Sequence, residues 1–293
     1  MHRKALFLIC FCLTLASLSG NARDFSGVRA LEFTRHATSF GPRPPDSPAN
    51  KKLQAYIERH LRLSGCEVTE DRFNGQTPQG PVPMRNLLCR FPGKSGKAIV
   101  LSGHYDTKTM PQFVGANDGG SSTGLLLEMA VVLAGAPRKD DVYLVFFDGE
   151  EAYGEWTDSN SLYGSRHLAE KWAADGTLAK VKALINVDMI GDKDLSLVYN
   201  SGSAASLQKT VWEAAGRLGY SQYFSTGGGV TGDDHVPFIQ RGVKALDLID
   251  FDYGPNNQYW HTPADTMDKL SAQSLQVVGT VLQKVLPELE AQP

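Results

Sequence analysis

The sequence predicts an α/β protein, a three-layer α/β/α sandwich around a central mixed, mostly parallel sheet, and three observations carry that expectation. Short runs rich in Val, Ile, Leu and Phe alternate with stretches of helical periodicity over most of the chain, the pattern of crossover helices on a parallel sheet. The run Val142-Tyr143-Leu144-Val145-Phe146-Phe147 has no polar alternation, as a strand buried on both faces would read, so it belongs at the centre. Two early runs, Cys66 to Phe73 and Arg85 to Phe91, are separated by the Gly/Pro-rich stretch Gly75 to Pro81 and form an antiparallel flank.

Taken in order, the chain begins with basic residues up to Lys4, an apolar run from Ala5 to Leu18, and small residues around Gly20 and Ala22. This is a secretory signal pattern over 1–22, too short for a bilayer span. A single domain over 23–293, exported to the periplasm or outside the cell and monomeric, is expected. Ser47 and Pro48, a cap and a first-turn proline, precede Leu53, Tyr56, Ile57, His60 and Leu61 at helical spacing, and Gly65 closes a helix of about 48–64. Further strands are expected at Ala98 to Ser102, Val181 to Val187 and Lys244 to Ile249. Helices are expected at Ser122 to Leu133, Ser161 to Ala173, Ala204 to Leu218 and about 272–290.

With 42% hydrophobic and 21% charged residues the composition is globular, and a net charge of -3 gives no basic field for nucleic acid. Four cysteines and no Cys-x-x-Cys exclude a disulfide scaffold and a zinc ribbon. Cys66 and Cys89 fall in the flanking strands, where outside the cytosol they could pair; two buried thiols are the alternative.

In open α/β sheets ligands bind beyond the carboxyl ends of the strands. Here those ends deliver His104-Tyr105-Asp106, Asp148-Gly149-Glu150-Glu151 and Asp188, and loops can bring Asp118 and His261 to the same rim. So many carboxylates call for shared protons or a bound cation, and mixed carboxylate and imidazole donors suit zinc.

These residues resemble the zinc exopeptidase clan that includes the two-zinc bacterial aminopeptidases. Within it, the stretches FFDGEEAYGEWTDSNSLYGSRHLA, GHYDTK, GDDHVPF, YWHT and QTPQG resemble the animal-type glutaminyl-peptide cyclotransferases from about residue 30 to the end. The insertion between Glu151 and Gly164, carrying Trp156, is the most specific part. The resemblance implies one zinc held by Asp118, Glu151 and His261. It further implies Glu150 as general acid/base sharing a proton with Asp188 and Asp233, and Trp156, Trp260 and Lys108 on the substrate, a peptide or protein with an N-terminal glutamine. The alternative is a secreted dizinc aminopeptidase using His104, Asp188 and a bridging Asp118 for a second metal. A binding protein that lost turnover would have no reason to keep six mutually repelling groups.

The chain departs from the cyclotransferase pattern at Asp247, where histidine is frequent, at Gly232, where glutamine is usual, and at Gly103 and Thr123, which replace a cysteine pair.

Overall fold

A computed structural model describes residues 23–157, 159–229 and 232–292; the expected signal segment, with Cys10 and Cys12, lies outside them. The chain runs α1 (Gly27–Thr38), α2 (Pro48–Leu63), β1 (Glu67–Thr77), β2 (Gly80–Phe91), β3 (Ala98–His104), α3 (Gly120–Leu133) and β4 (Asp141–Phe147). There follow α4 (Tyr163–Ala174), β5 (Val181–Asp188), α5 (Ala205–Arg217), the short α6 (Val236–Ile239), β6 (Ala245–Ile249) and α7 (Ala272–Ala291). The six strands form one sheet in the order β1-β2-β4-β3-β5-β6. β4, β3, β5 and β6 are parallel, and β2 joins β1 and β4 antiparallel. The apolar run at β4 is central, as expected, with β3 beside it.

Alternation along the strands builds two cores. Leu87, Ile99, Leu101, Leu144, Phe146, Ile185 and Leu248 face α1, α2, α3, α5 and α7. Leu88, Val100, Val145, Phe147 and Leu184 face Leu168, Ala169 and Trp172 of α4 and Phe238 of α6. The sheet is therefore covered on both sides, which the parallel strands require because neither face is polar.

Two features differ from the sequence expectation. The first is α1, which the apolar pattern does not announce because its buried side chains are small: Ala30, Thr34 and Ala37. It is capped by Ser26 and packs on α3 at Gly124, where a Cβ would lie 2.0 Å from Thr34 Oγ1. The second is the Gly/Pro-rich stretch, which is strand rather than connector. The β1–β2 ladder continues to Thr77 opposite Gly80, and only Pro78 and Gln79 turn. Pro81 and Pro83 fall in the part of β2 beyond its pairing with β4, which covers Leu87 to Phe91, and there a missing N–H disrupts no central ladder.

Cys66 and Cys89 are bonded, with Cα atoms 5.6 Å apart and a sequence separation of 23. The bond ties the segment just after α2 to β2, two positions before that strand ends at Phe91. No helix among the described residues is long and apolar enough to cross a membrane.

Unreduced, denatured protein without its leader should titrate no free thiol. Replacing both Cys66 and Cys89 by alanine should lower the unfolding free energy by about 3 kcal/mol, the loop-closure value for a ring of this size, measured by denaturant titration.

Candidate active site

The register of the parallel strands decides what meets at their carboxyl ends. His104, the last residue of β3, lies opposite Phe147 of β4, and Asp188, the last of β5, opposite Ile249 of β6. The turn after β4 is fixed by two pairs of hydrogen bonds donated by backbone amides. The amides of Glu150 and Glu151 donate to the Asp106 carboxylate at 3.2 and 3.4 Å. Leu162 N donates to Glu150 O and Tyr163 N to Gly149 O, both at 2.8 Å. Gly149 has φ 70°, and a Cβ there would meet Met84 Sδ at 2.5 Å, so this turn needs glycine.

Asp118 precedes α3 in a loop held by Asp265, whose carboxylate accepts from Asn117 N and Asp118 N. His261 has φ 50°, an uncommon conformation for a non-glycine residue that concentrates at functional sites. Trp260 stacks on its ring with centroids 4.1 Å apart.

These elements line one cavity of about 450 Å³. Every site residue expected from the sequence is on its wall: Lys108, Asp118, Glu150, Glu151, Trp156, Asp188, Asp233, Trp260 and His261. Ile249 and Phe251 join them. Neither was expected: Ile249 reads as the end of a strand and Phe251 as a lone aromatic in a loop. Phe251 meets Trp260 edge to face at 4.9 Å.

Two groups of donors stand side by side. His261 Nε2 is 3.3 Å from Asp118 Oδ2 and 3.2 Å from Glu151 Oε2. Both of those oxygens are buried without a hydrogen-bond partner. Ligand atoms on a tetrahedral zinc, at bond lengths of about 2.0–2.1 Å, are about 3.3 Å apart, so this donor set fits such an ion. On the other side, His104 Nε2 is 3.2 Å from Asp118 Oδ1 and 3.1 Å from Asp188 Oδ1. Asp118 belongs to both groups through its two oxygens.

The electrostatics ask for positive charge. Burial alone would lower the His261 pKa, but contacts with Asp118 and Glu151 outweigh it and hold the ring up to about 9. His104 is raised well above the usual imidazole range: burial again opposes, and Asp188, Asp106 and Asp118 prevail. The third wall is different. Burial pushes Glu150 and Asp233 well above the usual carboxylate range, with neighbouring carboxylates adding to it. For Asp233 the nearest contribution after burial is the charge of Asp247.

Asp247 ends a row of buried polar groups across three strands. Ser102 Oγ donates to Asn186 Oδ1 at 2.9 Å, and Asn186 Nδ2 to Asp247 Oδ1 at 3.3 Å.

A family model for peptidase family M28 matches residues 86–286. The chain belongs to peptidase family M28. Glutaminyl cyclases are among the proteins it is similar to. The solved glutaminyl cyclase of an Acidobacteriales bacterium is 42% identical, with a TM-score of 0.89, covering 95% of this chain and 99% of that one. The glutaminyl-peptide cyclotransferase-like protein of Mus musculus is 31% identical over 84% of this chain and 72% of its own length. A leucine aminopeptidase precursor from Bacteroides thetaiotaomicron has the same fold at 26% identity and a TM-score of 0.82, covering 91% of this chain and 98% of that one.

In this M28 chain the absence of a cysteine at position 103 has a steric reason. A Cβ on Gly103 would lie 2.7 Å from both Ser122 Cβ and Val187 O. Thr123 instead donates from Oγ1 to Gly119 O at 2.7 Å, supporting the first turn of α3. Gly103→Ala should therefore cost about 1–3 kcal/mol, the usual penalty for overpacking, read as a lower denaturation midpoint.

Proposed function

We propose that the protein is a zinc-dependent glutaminyl-peptide cyclotransferase, an acyltransferase that converts the N-terminal glutamine of peptides or proteins to pyroglutamate with release of ammonia. The observation that carries this is one cavity in which a zinc-sized donor set, a buried carboxyl with a raised pKa and tryptophans on the wall surround a substrate-sized space. The kinship with glutaminyl cyclases supports it.

Asp118, Glu151 and His261 would hold the metal. When bound, zinc supplies Lewis acidity to the γ-carbonyl of the substrate glutamine. The substrate brings its own nucleophile: its α-amine attacks its own γ-carboxamide carbon, one C–N bond forms, and the bond to the leaving nitrogen breaks. Glu150 would accept the proton from the amine and return it to the departing ammonia. Burial and the charges of Glu151, Asp234 and Asp188 favour its protonated form, so the proton stays available at this group rather than being lost to solvent, and Asp233 would share it. Trp156, Trp260 and Phe251 would fold the glutamine side chain back toward its amine and keep water out, and Lys108 would stand at the rim. The leader pattern over 1–22 agrees with a secreted or periplasmic enzyme.

A second reading, a dizinc aminopeptidase, has a specific observation in its favour: His104, Asp118 and Asp188 form a second donor group. In the cyclase reading His104 takes the place of that second cation, its raised pKa giving Asp188 and Asp118 a positive partner.

Mass analysis of a peptide beginning with Gln and one beginning with Leu, after incubation with purified enzyme, separates the two. Loss of ammonia from the first alone is the expected result, and a shortened second peptide would establish the peptidase. Metal analysis should give about one zinc per chain rather than two. Glu150→Gln should reduce kcat by about 10²–10⁴-fold while zinc content stays at the wild-type level. A near-normal rate in that variant would overturn the assigned role.

A further inference from the structure

Arg43 is fully buried, and among the described residues its guanidinium has no carboxylate in salt-bridge contact. It is spent on backbone carbonyls instead. Nε donates to Tyr105 O at 3.3 Å, Nη1 to Gly41 O at 3.1 Å and Val114 O at 2.6 Å, and Nη2 to Gly115 O at 3.0 Å. A buried cation costs several kcal/mol unless it is fully hydrogen-bonded and near opposite charge, and here two of the four bonds, to Val114 O and Gly115 O, go to the loop that leads into Asp118. Burial lowers its pKa only to about 10, with Asp265 the foremost of the acidic charges that oppose the fall, so the group stays cationic at neutral pH.

Asp265 grips the same loop from its other polar edge. Its Oδ1 accepts from Asn117 N at 2.8 Å and from the buried Tyr253 hydroxyl at 2.7 Å, and its Oδ2 accepts from Asp118 N at 3.2 Å. Asp265 is also four residues beyond His261, so its hold links the two loops that carry Asp118 and His261. Between the two grips the backbone has little freedom. Gly115 and Gly119 have φ 50° and 77°, and Cβ atoms there would lie 2.4 Å from Asp118 O and 2.5 Å from Asp106 O. Phe113, at the start of the loop and fully buried, meets the His261 ring edge to face at 5.9 Å.

We infer that Arg43 and Asp265 are positioning residues that clamp the Phe113–Gly119 loop by its carbonyls on one side and its amides on the other, and thereby set how tightly Asp118 and His261 hold a divalent metal. The inference rests on the metal-centre reading given under Proposed function. The charges act with the backbone: a cation against carbonyl oxygens and an anion against N–H groups each favour the peptide orientation that the other also favours. Ordering the ligands before the metal arrives removes the entropy that a loose loop would lose on binding, and removing such supporting partners typically weakens metal affinity by about 10–100-fold.

The test is zinc affinity of the full-length protein, measured by competition with a chromophoric chelator, for wild type, Arg43→Lys and Asp265→Asn. Lysine keeps the charge but lacks the forked donors that reach four carbonyls; asparagine keeps one acceptor but turns an NH₂ toward a backbone N–H. Each metal-free variant is melted by circular dichroism to establish that it is folded. The expected result is a zinc affinity weaker by about 10–100-fold in each folded variant, with a loss of cyclisation rate that is recovered by raising free zinc. The double variant should lose less than the product of the two singles, since both act on one loop. Folded variants with affinity within about threefold of wild type would overturn the inference; that threshold separates them from the effect expected of supporting partners. If Arg43→Lys does not fold, Asp265→Asn and Tyr253→Phe, which removes one donor to Asp265, decide the matter by the same measurement. Wild-type protein that binds no zinc would instead defeat the metal-centre reading, and this inference with it.

Discussion

Mutual repulsion among buried carboxylates is the constraint around which the functional end of this molecule is organised. Asp106, Asp118, Glu150, Glu151, Asp188 and Asp233 are all less than a tenth exposed and belong to one rim of the sheet. In a low-dielectric site they cannot all remain charged without compensation, and each receives a different answer. Asp118 and Glu151 face the imidazole of His261, and Asp188 that of His104. Asp106 takes two backbone amides. Glu150 and Asp233 have no cation of their own at bonding distance among the described residues, and theirs are the carboxyls on this rim that burial raises furthest. The proposed division of labour, with some groups facing a metal and others holding a proton, would thus follow from where positive charge can reach.

That division depends on strand register. A parallel sheet brings His104, the turn after Phe147, Asp188 and Ile249 to one edge because β4, β3, β5 and β6 are adjacent and in step. A shift of one residue in β5 would turn Asp188 to the other face and strand its carboxylate away from His104. The row Ser102, Asn186 and Asp247 runs across β3, β5 and β6 just below this edge. Polar pairs at one level in a core otherwise made of Leu, Val and Phe penalise any alternative register, because they would be left unsatisfied.

Much of this was legible in the chain itself. Strand ends in an α/β pattern are a physical address, and acids directly after the most apolar strand, Val142 to Phe147, need a reason to be there. The nine expected wall residues came from that address and from the resemblance carried by the motifs around them. What the sequence hid falls into two kinds. The helix α1 and the tip of the β1–β2 hairpin are set by tertiary packing: small residues nestle against Gly124, and a two-residue turn lets prolines stand in a strand. Arg43, Phe251 and Asp265 were hidden for another reason. Arg43 and Asp265 act on groups far away in the sequence and Phe251 joins the cavity only once the fold assembles it, and a single arginine between prolines or an aspartate after a turn has no period or spacing that would mark it.

Gly103 and Thr123 occupy the positions where relatives of the animal type carry a cysteine pair. Because a side chain at 103 collides with Ser122 and with the Val187 carbonyl, acquiring such a bridge takes more than two cysteines. Both the start of α3, which carries the Ser122 Cβ, and β5, which carries the Val187 carbonyl, must give way by a fraction of an ångström before a side chain at 103 is tolerated. The bridge and its absence are thus two separate packing solutions. A lineage that moves between them by single substitutions passes through a sequence less stable than either end, which makes the choice at this position slow to reverse.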